Sequence, residues 1–132
     1  MKKSYSWEFG SAKKHIDKSC FASNGTGIPK VFRSFFGVEE LGYQESIPIA
    51  LVFEGCRYRA KIENPKTPEG RRKTRLVWKH NFTDILRSKF PDWEKHFQRD
   101  KNYSPERRPQ IVFESTEDDF AFKISFISVS VL

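Results

Sequence analysis

Ile47-Pro48-Ile49-Ala50-Leu51-Val52-Phe53-Glu54, then Gly55-Cys56, then Arg57-Tyr58-Arg59-Ala60-Lys61-Ile62-Glu63 is the stretch that decides the fold class. Two runs rich in β-branched and aromatic residues flank a glycine-bearing turn, which predicts an antiparallel hairpin. In the second run Tyr58, Ala60 and Ile62 alternate with Arg57, Arg59 and Lys61. Successive side chains of a strand point to opposite faces, so this strand offers one face to a core and the other to water or a polyanion.

Charge follows the hairpin downstream. Between Arg57 and Lys79 lie nine basic residues against two acids, Glu63 and Glu69, a net charge of +7 that equals that of the whole chain. The remainder therefore balances to zero, and the excess is a local feature suited to a phosphate backbone. Within this segment Asn64-Pro65-Lys66-Thr67-Pro68-Glu69-Gly70-Arg71-Arg72-Lys73 reads as an irregular loop. Arg75-Leu76-Val77-Trp78 reads as the next strand.

Outside the hairpin the local signals are shorter. Residues 5 to 16 predict one bent strand interrupted at Gly10, with Trp7, Phe9 and Ile16 inward. Asp17 to Gly27 predicts a shaped loop of small polar residues. Ile28-Pro29 opens a short helix in which Val31, Phe32, Phe35 and Phe36 form an apolar stripe and Gly37 closes the end. Asn81 is placed as the cap of a helix bearing Phe82, Ile85, Leu86 and Phe90, Pro91 stops it, and Asp92 starts a second helix with Trp93 and Phe97. Ile111-Val112-Phe113 reads as a strand, Glu117-Asp118-Asp119 as an acidic turn, and Phe120, Phe122, Ile124 and Phe126 as the alternate positions of a last strand. The apolar end Val129-Ser130-Val131-Leu132 suggests a buried strand or a cut at a domain junction. The order describes a small barrel closed by helices.

Composition bounds the rest. A chain of 132 residues fits a single domain, with a core over about residues 5 to 127. Hydrophobic residues make up 37% and thirteen are Phe, too rich for a disordered tail. Cys20 and Cys56 form no metal or redox spacing and read as free thiols. Met1-Lys2-Lys3-Ser4-Tyr5 lacks the apolar stretch of a secretion signal and no run is long enough to span a bilayer, so no membrane partner and a cytoplasmic location are expected.

Catalytic patterns are scarce. Strand-borne nuclease sites place Asp or Glu two residues before Lys, which occurs nowhere in this chain. Pro91-Asp92-Trp93-Glu94-Lys95 compresses such elements into one segment. His80-Asn81 has no second ligand at metal spacing, His15 and His96 stand alone, and Gly25-Thr26-Gly27 lacks the Gly-Lys-Ser/Thr ending of a phosphate loop. The expectation is a non-enzymatic chain with no metal and no cofactor. Two alternatives remain: a small metal-dependent nuclease with an unrecognised site, and an RNA-binding or structural interaction module. Trp78 and Tyr58 fit inward periodicities, which disfavours stacking on single strands.

Taken in order, Gly25-Thr26-Gly27-Ile28-Pro29-Lys30, a short helix, a hairpin and Arg71-Arg72-Lys73-Thr74-Arg75-Leu76-Val77-Trp78 resemble the B-three-type pseudobarrel. That domain is the amino-terminal effector domain of EcoRII-type restriction endonucleases and is similar to modules attached to predicted HNH endonucleases. The resemblance implies a mainly β fold with short helices, a seven-stranded open β-barrel that grips double-stranded DNA in the major groove with two arms. It further implies a fused or associated nuclease domain as partner. By position, Lys18 to Thr26 match the first arm and Asn64 to Arg75 the second.

The candidate DNA contacts are accordingly Lys18, Ser19, Ser23, Asn24, Thr26 and Lys30 on one side, and Lys66, Arg71, Arg72, Lys73, Arg75 and Lys79 on the other. Lysines suit phosphates and guanidinium forks suit guanine edges. Arg75, at the junction of loop and strand, is the better placed reader. If about five phosphates are contacted, log affinity should fall against log salt with a slope near −4 to −5. Replacing Arg71, Arg72 and Lys73 by alanine should weaken binding and make that slope shallower without unfolding the protein; a salt-independent affinity would contradict the charge argument.

Overall fold

The structure is a computed structural model that describes residues 7–8, 12–65, 74–99 and 108–128, with the backbone only at 7, 8, 96, 98 and 99. Eight strands among these residues form one sheet. They are β1 (Trp7–Glu8), β2 (Ala12–His15), β3 (Gly25–Gly27), β4 (Ser46–Phe53), β5 (Cys56–Glu63), β6 (Arg75–Trp78), β7 (Gln110–Ser115) and β8 (Ala121–Ile127). Their order is β1-β2-β7-β8-β4-β5-β6-β3. Seven of them, three to eight residues long, curl into an open half-barrel, and β1 adds a two-residue ribbon at one edge. The fold class expected from the alternating pattern is the one observed.

The deciding hairpin forms, with its turn one residue earlier than predicted. Phe53 pairs with Cys56, so Glu54 and Gly55 are the two turn residues, at φ 51° and 81°. Positive φ at both positions is the twist a two-residue hairpin needs, and glycine is the residue that adopts it most cheaply. β4 pairs antiparallel with β5 on one side and parallel with β8 on the other, through Ala50 with Ala121, Leu51 with Phe122 and Val52 with Lys123. That parallel pair joins the two halves of the sheet.

Local readings near the amino end are revised. The predicted bent strand is a β1–β2 antiparallel pair, Trp7 opposite Lys14 and Glu8 opposite Lys13; Phe9 and Gly10 lie outside the described residues. The predicted loop from Asp17 to Gly27 contains helix α1 (Lys18–Ala22), because Cys20 and Phe21 are buried and Asp17 caps it, accepting from the Ser19 amide at 3.1 Å, and it ends in strand β3, which pairs with β6. A 3-10 turn at Lys30–Phe32 leads into α2 (Arg33–Phe36), which Gly37 closes. Val31, assigned to the apolar stripe, is 60% exposed, since the tighter 3-10 spacing turns it outward. Phe36 is the plug: its ring stacks edge-on to Phe113 of β7 at 5.4 Å and Phe122 of β8 at 5.0 Å.

Helices α3 (His80–Lys89) and α4 (Trp93–Arg99) cover one mouth of the half-barrel. Phe82 packs on Tyr58 and Trp78, and Phe90 packs on Phe126. Lys79, not Asn81, holds the cap position of α3, with no side-chain capping bond. Phe120 lies in the turn before β8, at φ 59°, and not in the strand. Both cysteines are free, Cys20 buried and Cys56 exposed in the hairpin. Val129 to Leu132 fall outside the described residues.

One ion pair ties β2 to α1. Lys14 is 1% exposed and its ammonium lies 2.6 Å from Asp17 Oδ2. Burial alone would raise the Asp17 carboxyl, but the Lys14 charge, with hydrogen bonds from Lys14, Ser19 and Cys20, holds it below its ordinary value of 3.8. The neighbouring Cys20 thiol is pushed up to about 12 by burial and then by the Asp17 charge, so it stays protonated and donates to Asp17 at 3.6 Å. Asp17→Asn should keep a helix cap yet strand a buried ammonium, costing roughly 3 kcal/mol, the lower end for breaking a buried pair because Asp17 still touches water. A depressed carboxyl stabilises fully above its unfolded value and loses that contribution as pH falls through the folded value. Denaturant midpoints should therefore drop more steeply below about pH 4 in the natural protein than in the variant.

Candidate nucleic-acid interface

The outer face of the β4-β5-β6-β3 half is built by register. Ala60 and Ile62 of β5 and Leu76 and Trp78 of β6 are buried, so Arg57, Arg59, Lys61, Glu63, Arg75 and Val77 project to the other side. Lys61 stands beside Val77 and Pro48, Arg59 beside Ala50, and Arg75 between Glu63 and Gly27. The Lys79 amide donates to the Arg59 carbonyl at 3.4 Å and continues the same row. Small and apolar neighbours leave these cations uncovered. A hollow of about 590 Å³ opens there, lined in part by Pro48, Arg59, Lys61, Val77 and Lys79.

Two of the cations are spent on acids. Lys61 lies 3.1 Å from Glu63, and Arg57 lies 3.8 Å from Asp118 across the sheet seam. Arg59, Arg75 and Lys79 have no ion-pair partner among the described residues. Three like charges on one rigid surface repel one another, a cost that a phosphate backbone would relieve. Arg59 was absent from the candidates drawn from the sequence, although the alternation of β5 carried the signal.

The amino-terminal candidates separate into surface and interior. Lys18, Ser23 and Lys30 are exposed. Ser19 shares its hydroxyl proton between Asp17 Oδ1 at 2.8 Å and the Gly25 carbonyl at 3.1 Å, which makes it part of the α1 cap. Thr26 is 2% exposed and faces the interior, so its side chain does not reach the surface. Gly25 is fixed by contact: a Cβ there would lie 2.3 Å from the Leu76 carbonyl oxygen, so only glycine lets β3 approach β6. Asn24 is half-buried and at φ 51°. Lys66, Arg71, Arg72 and Lys73 lie outside the described residues.

The roots of the basic loop are fastened together. Asn64, at its start, and Thr74, at its end, are both buried, and the Thr74 hydroxyl donates to Asn64 Oδ1 at 2.5 Å. The Asn64 amide donates to the carbonyls of Leu41 at 2.7 Å and Gly42 at 3.2 Å. Its backbone amide bonds Glu45, and its carbonyl accepts from Gln44. The Thr74 carbonyl takes the Ile28 amide at 2.9 Å. The described chain thus breaks off after Pro65 and resumes at Thr74 at one defined point beside Arg75.

Of the compressed acidic segment, Glu94 is engaged with Arg87, at 2.9 and 3.2 Å. His15 is buried between the Arg108 carbonyl and the Gln110 amide, and His80 is exposed in the first turn of α3. No helix among the described residues is long and apolar enough to cross a membrane.

No family model and no curated protein matches the chain. Among solved structures it is similar to the N-terminal domain of Helicobacter pylori LlaJI.R1, with a TM-score of 0.50 and 12% identity over 87% of this chain and 78% of that one. At that identity the likeness is one of fold.

The root clasp yields a direct test. Thr74→Val keeps the shape and leaves the buried Asn64 oxygen without its donor, which should cost about 1–3 kcal/mol of stability. Thr74→Ser should restore most of it. Urea unfolding of the three proteins measures the difference.

Proposed function

We propose that this chain is a sequence-specific binding domain for double-stranded DNA, of the B-three pseudobarrel type, which serves as the recognition or effector part of a restriction endonuclease in the cytoplasm and is not itself catalytic. The observation that carries the reading is the set of cations Arg59, Lys79 and Arg75 on one sheet face, without ion-pair partners among the described residues, with Arg75 close to where residues 66–73, which include four further basic residues, leave and re-enter the described chain. Such a set binds phosphates wherever they repeat along a duplex, and the loops at its edge supply contacts to bases. The fold shared with the LlaJI.R1 domain is compatible with this reading. Burial of Trp78, 2% exposed, leaves that ring unable to stack bases, and the half-buried Tyr58 packs against Phe82, which favours duplex over single-stranded partners.

Within that face Arg75 is the candidate reader. Its backbone is held by ladders on both sides, to Glu63 and to Gly27, and the glycine leaves the space over its side chain open. A fixed backbone lowers the entropy lost when a guanidinium forks onto guanine O6 and N7. Arg59 and Lys79 are placed as phosphate contacts.

Selection of bound sequences from a random duplex library tests the function, and incubation of DNA with magnesium or manganese tests the absence of cleavage. Arg75→Ala should cost about 1–3 kcal/mol on the selected site and relax one base pair, with nonspecific affinity nearly unchanged. Arg59→Ala should weaken selected and scrambled duplexes alike and reduce the salt slope by about one. Equal losses on both duplexes for Arg75→Ala would make it another phosphate contact.

A further inference from the structure

The cation face has a relief as well as a charge. Its two central strands, β5 and β6, carry long charged side chains, whereas the strands that flank them carry short ones. On one side β3 sets Gly25 beside Val77 and Gly27 beside Arg75. On the other, β4 sets Pro48 beside Lys61 and Ala50 beside Arg59. The central pair therefore stands out from the sheet as a two-stranded ribbon. Its strands lie about 4.8 Å apart, and a two-stranded ribbon is an element that the major groove, about 12 Å wide, admits.

The low side of the ribbon is fixed from beneath. The Asn24 carbonyl accepts the Trp78 amide at 2.9 Å. On the inner face the Trp78 indole donates to the Thr83 hydroxyl at 2.8 Å, and that hydroxyl donates to Asn24 Oδ1 at 2.6 Å. This relay ties the segment before β3 to the end of β6, and Gly25 has no room for a side chain against the Leu76 carbonyl. Nothing on β3 rises to cover Val77.

Val77 is the exception on the ribbon. The other outward residues of β5 and β6 are charged, and Arg75 and Lys79 stand two positions to either side of it. Lys61, its partner across the ladder, reaches along its own strand to Glu63 at 3.1 Å. Val77 is thus left half-buried at the middle of the face, where it lines the hollow together with Pro48. A phosphate gives such a group nothing. What suits it is an apolar group that arrives with phosphates around it, and the major groove of a duplex offers one, the C5-methyl of a pyrimidine.

We propose that the β5–β6 ribbon enters the major groove and that Val77 packs on the C5-methyl group of one pyrimidine, flanked by the phosphate contacts of Arg59 and Lys79. The inference rests on the duplex-binding reading above. Thymine and 5-methylcytosine both carry that methyl, whereas unmodified cytosine and the purines do not. Val77 is then a specificity residue that reads a methyl group and no hydrogen-bond pattern.

Selection from a random duplex library with the whole chain supplies the site. Each thymine in it is then replaced singly by uracil, which lacks only the methyl, and each cytosine by 5-methylcytosine. Fluorescence anisotropy gives the affinities of the natural protein, of Val77→Ala and of Val52→Ala, the last an outward valine of β4 beside Arg57 and away from the hollow. In the natural protein and in Val52→Ala, one thymine should lose about fourfold on replacement by uracil, or one cytosine gain about fourfold on methylation, the effect of burying a methyl-sized group. A loss assigns the position to thymine, and a gain assigns it to 5-methylcytosine. Val77→Ala should bring the ratio close to one. Should that variant not fold by circular dichroism, Val77→Thr takes its place and should reduce the ratio. No methyl effect at any position, or one unchanged in the Val77 variant, overturns the inference and leaves the duplex-binding reading in place; failure of the natural protein to select any motif overturns that reading, and the inference with it.

Discussion

The parallel pairing of β4 with β8 is the contact on which the rest of the structure depends. It is the one parallel pair in the described sheet, and it joins a half made of β1, β2, β7 and β8 to a half made of β4, β5, β6 and β3. Ala50 faces Ala121 across it, and the Ala50 amide donates to the Phe120 carbonyl at 2.9 Å. The seam closes one core from both halves: Phe36 packs on Phe113 of β7 and Phe122 of β8, whereas Leu51 and Ile62 come from the other half.

The seam also shapes the charge. It brings the acidic turn before β8 alongside β4, within reach of β5, where Asp118 meets Arg57. Arg57 is thereby neutralised at one end of the basic strand and Lys61 by Glu63 at the other, and the uncompensated charge stays on Arg59 and Lys79, which stand opposite one another, and on Arg75 next to Thr74. A polyanion is thus steered toward this face. The exposed acid pairs add little to stability, but they narrow where positive potential persists.

Rigid fastenings support this half of the sheet. Asn64 and Thr74 clasp the loop roots, the Trp78-Thr83-Asn24 relay fixes the segment before β3, and the Lys14–Asp17 pair seats α1 beneath it. Each uses a buried or half-buried polar group that the fold must satisfy internally, so each is sensitive to loss of a single partner. Precision near a recognition surface comes from such supports, since a base contact fails when its donor can turn.

Period-two alternation is a local property, and it alone made β5, β6 and β8 legible, together with the basic outer face of β5 and the junction position of Arg75. The helices over the barrel mouth were legible for a similar reason, Phe82 and Leu86 falling at helical spacing with Pro91 to stop the run. Other features depended on partners distant in the chain. Helix α1 replaced a predicted loop because Cys20 and Phe21 found a core that five residues cannot announce. Thr26 turned inward because β3 paired with β6, and the orientation of the Asn24 side chain was set by Thr83, fifty-nine residues away. The amino-acid sequence by itself determined the strands β4 to β8 and where the charge lies, but not β3, which falls in a segment read as loop. The tertiary structure decided which cations stay unpaired and which polar side chains face outward, because pairing across the sheet is set by contacts between residues that no local pattern connects.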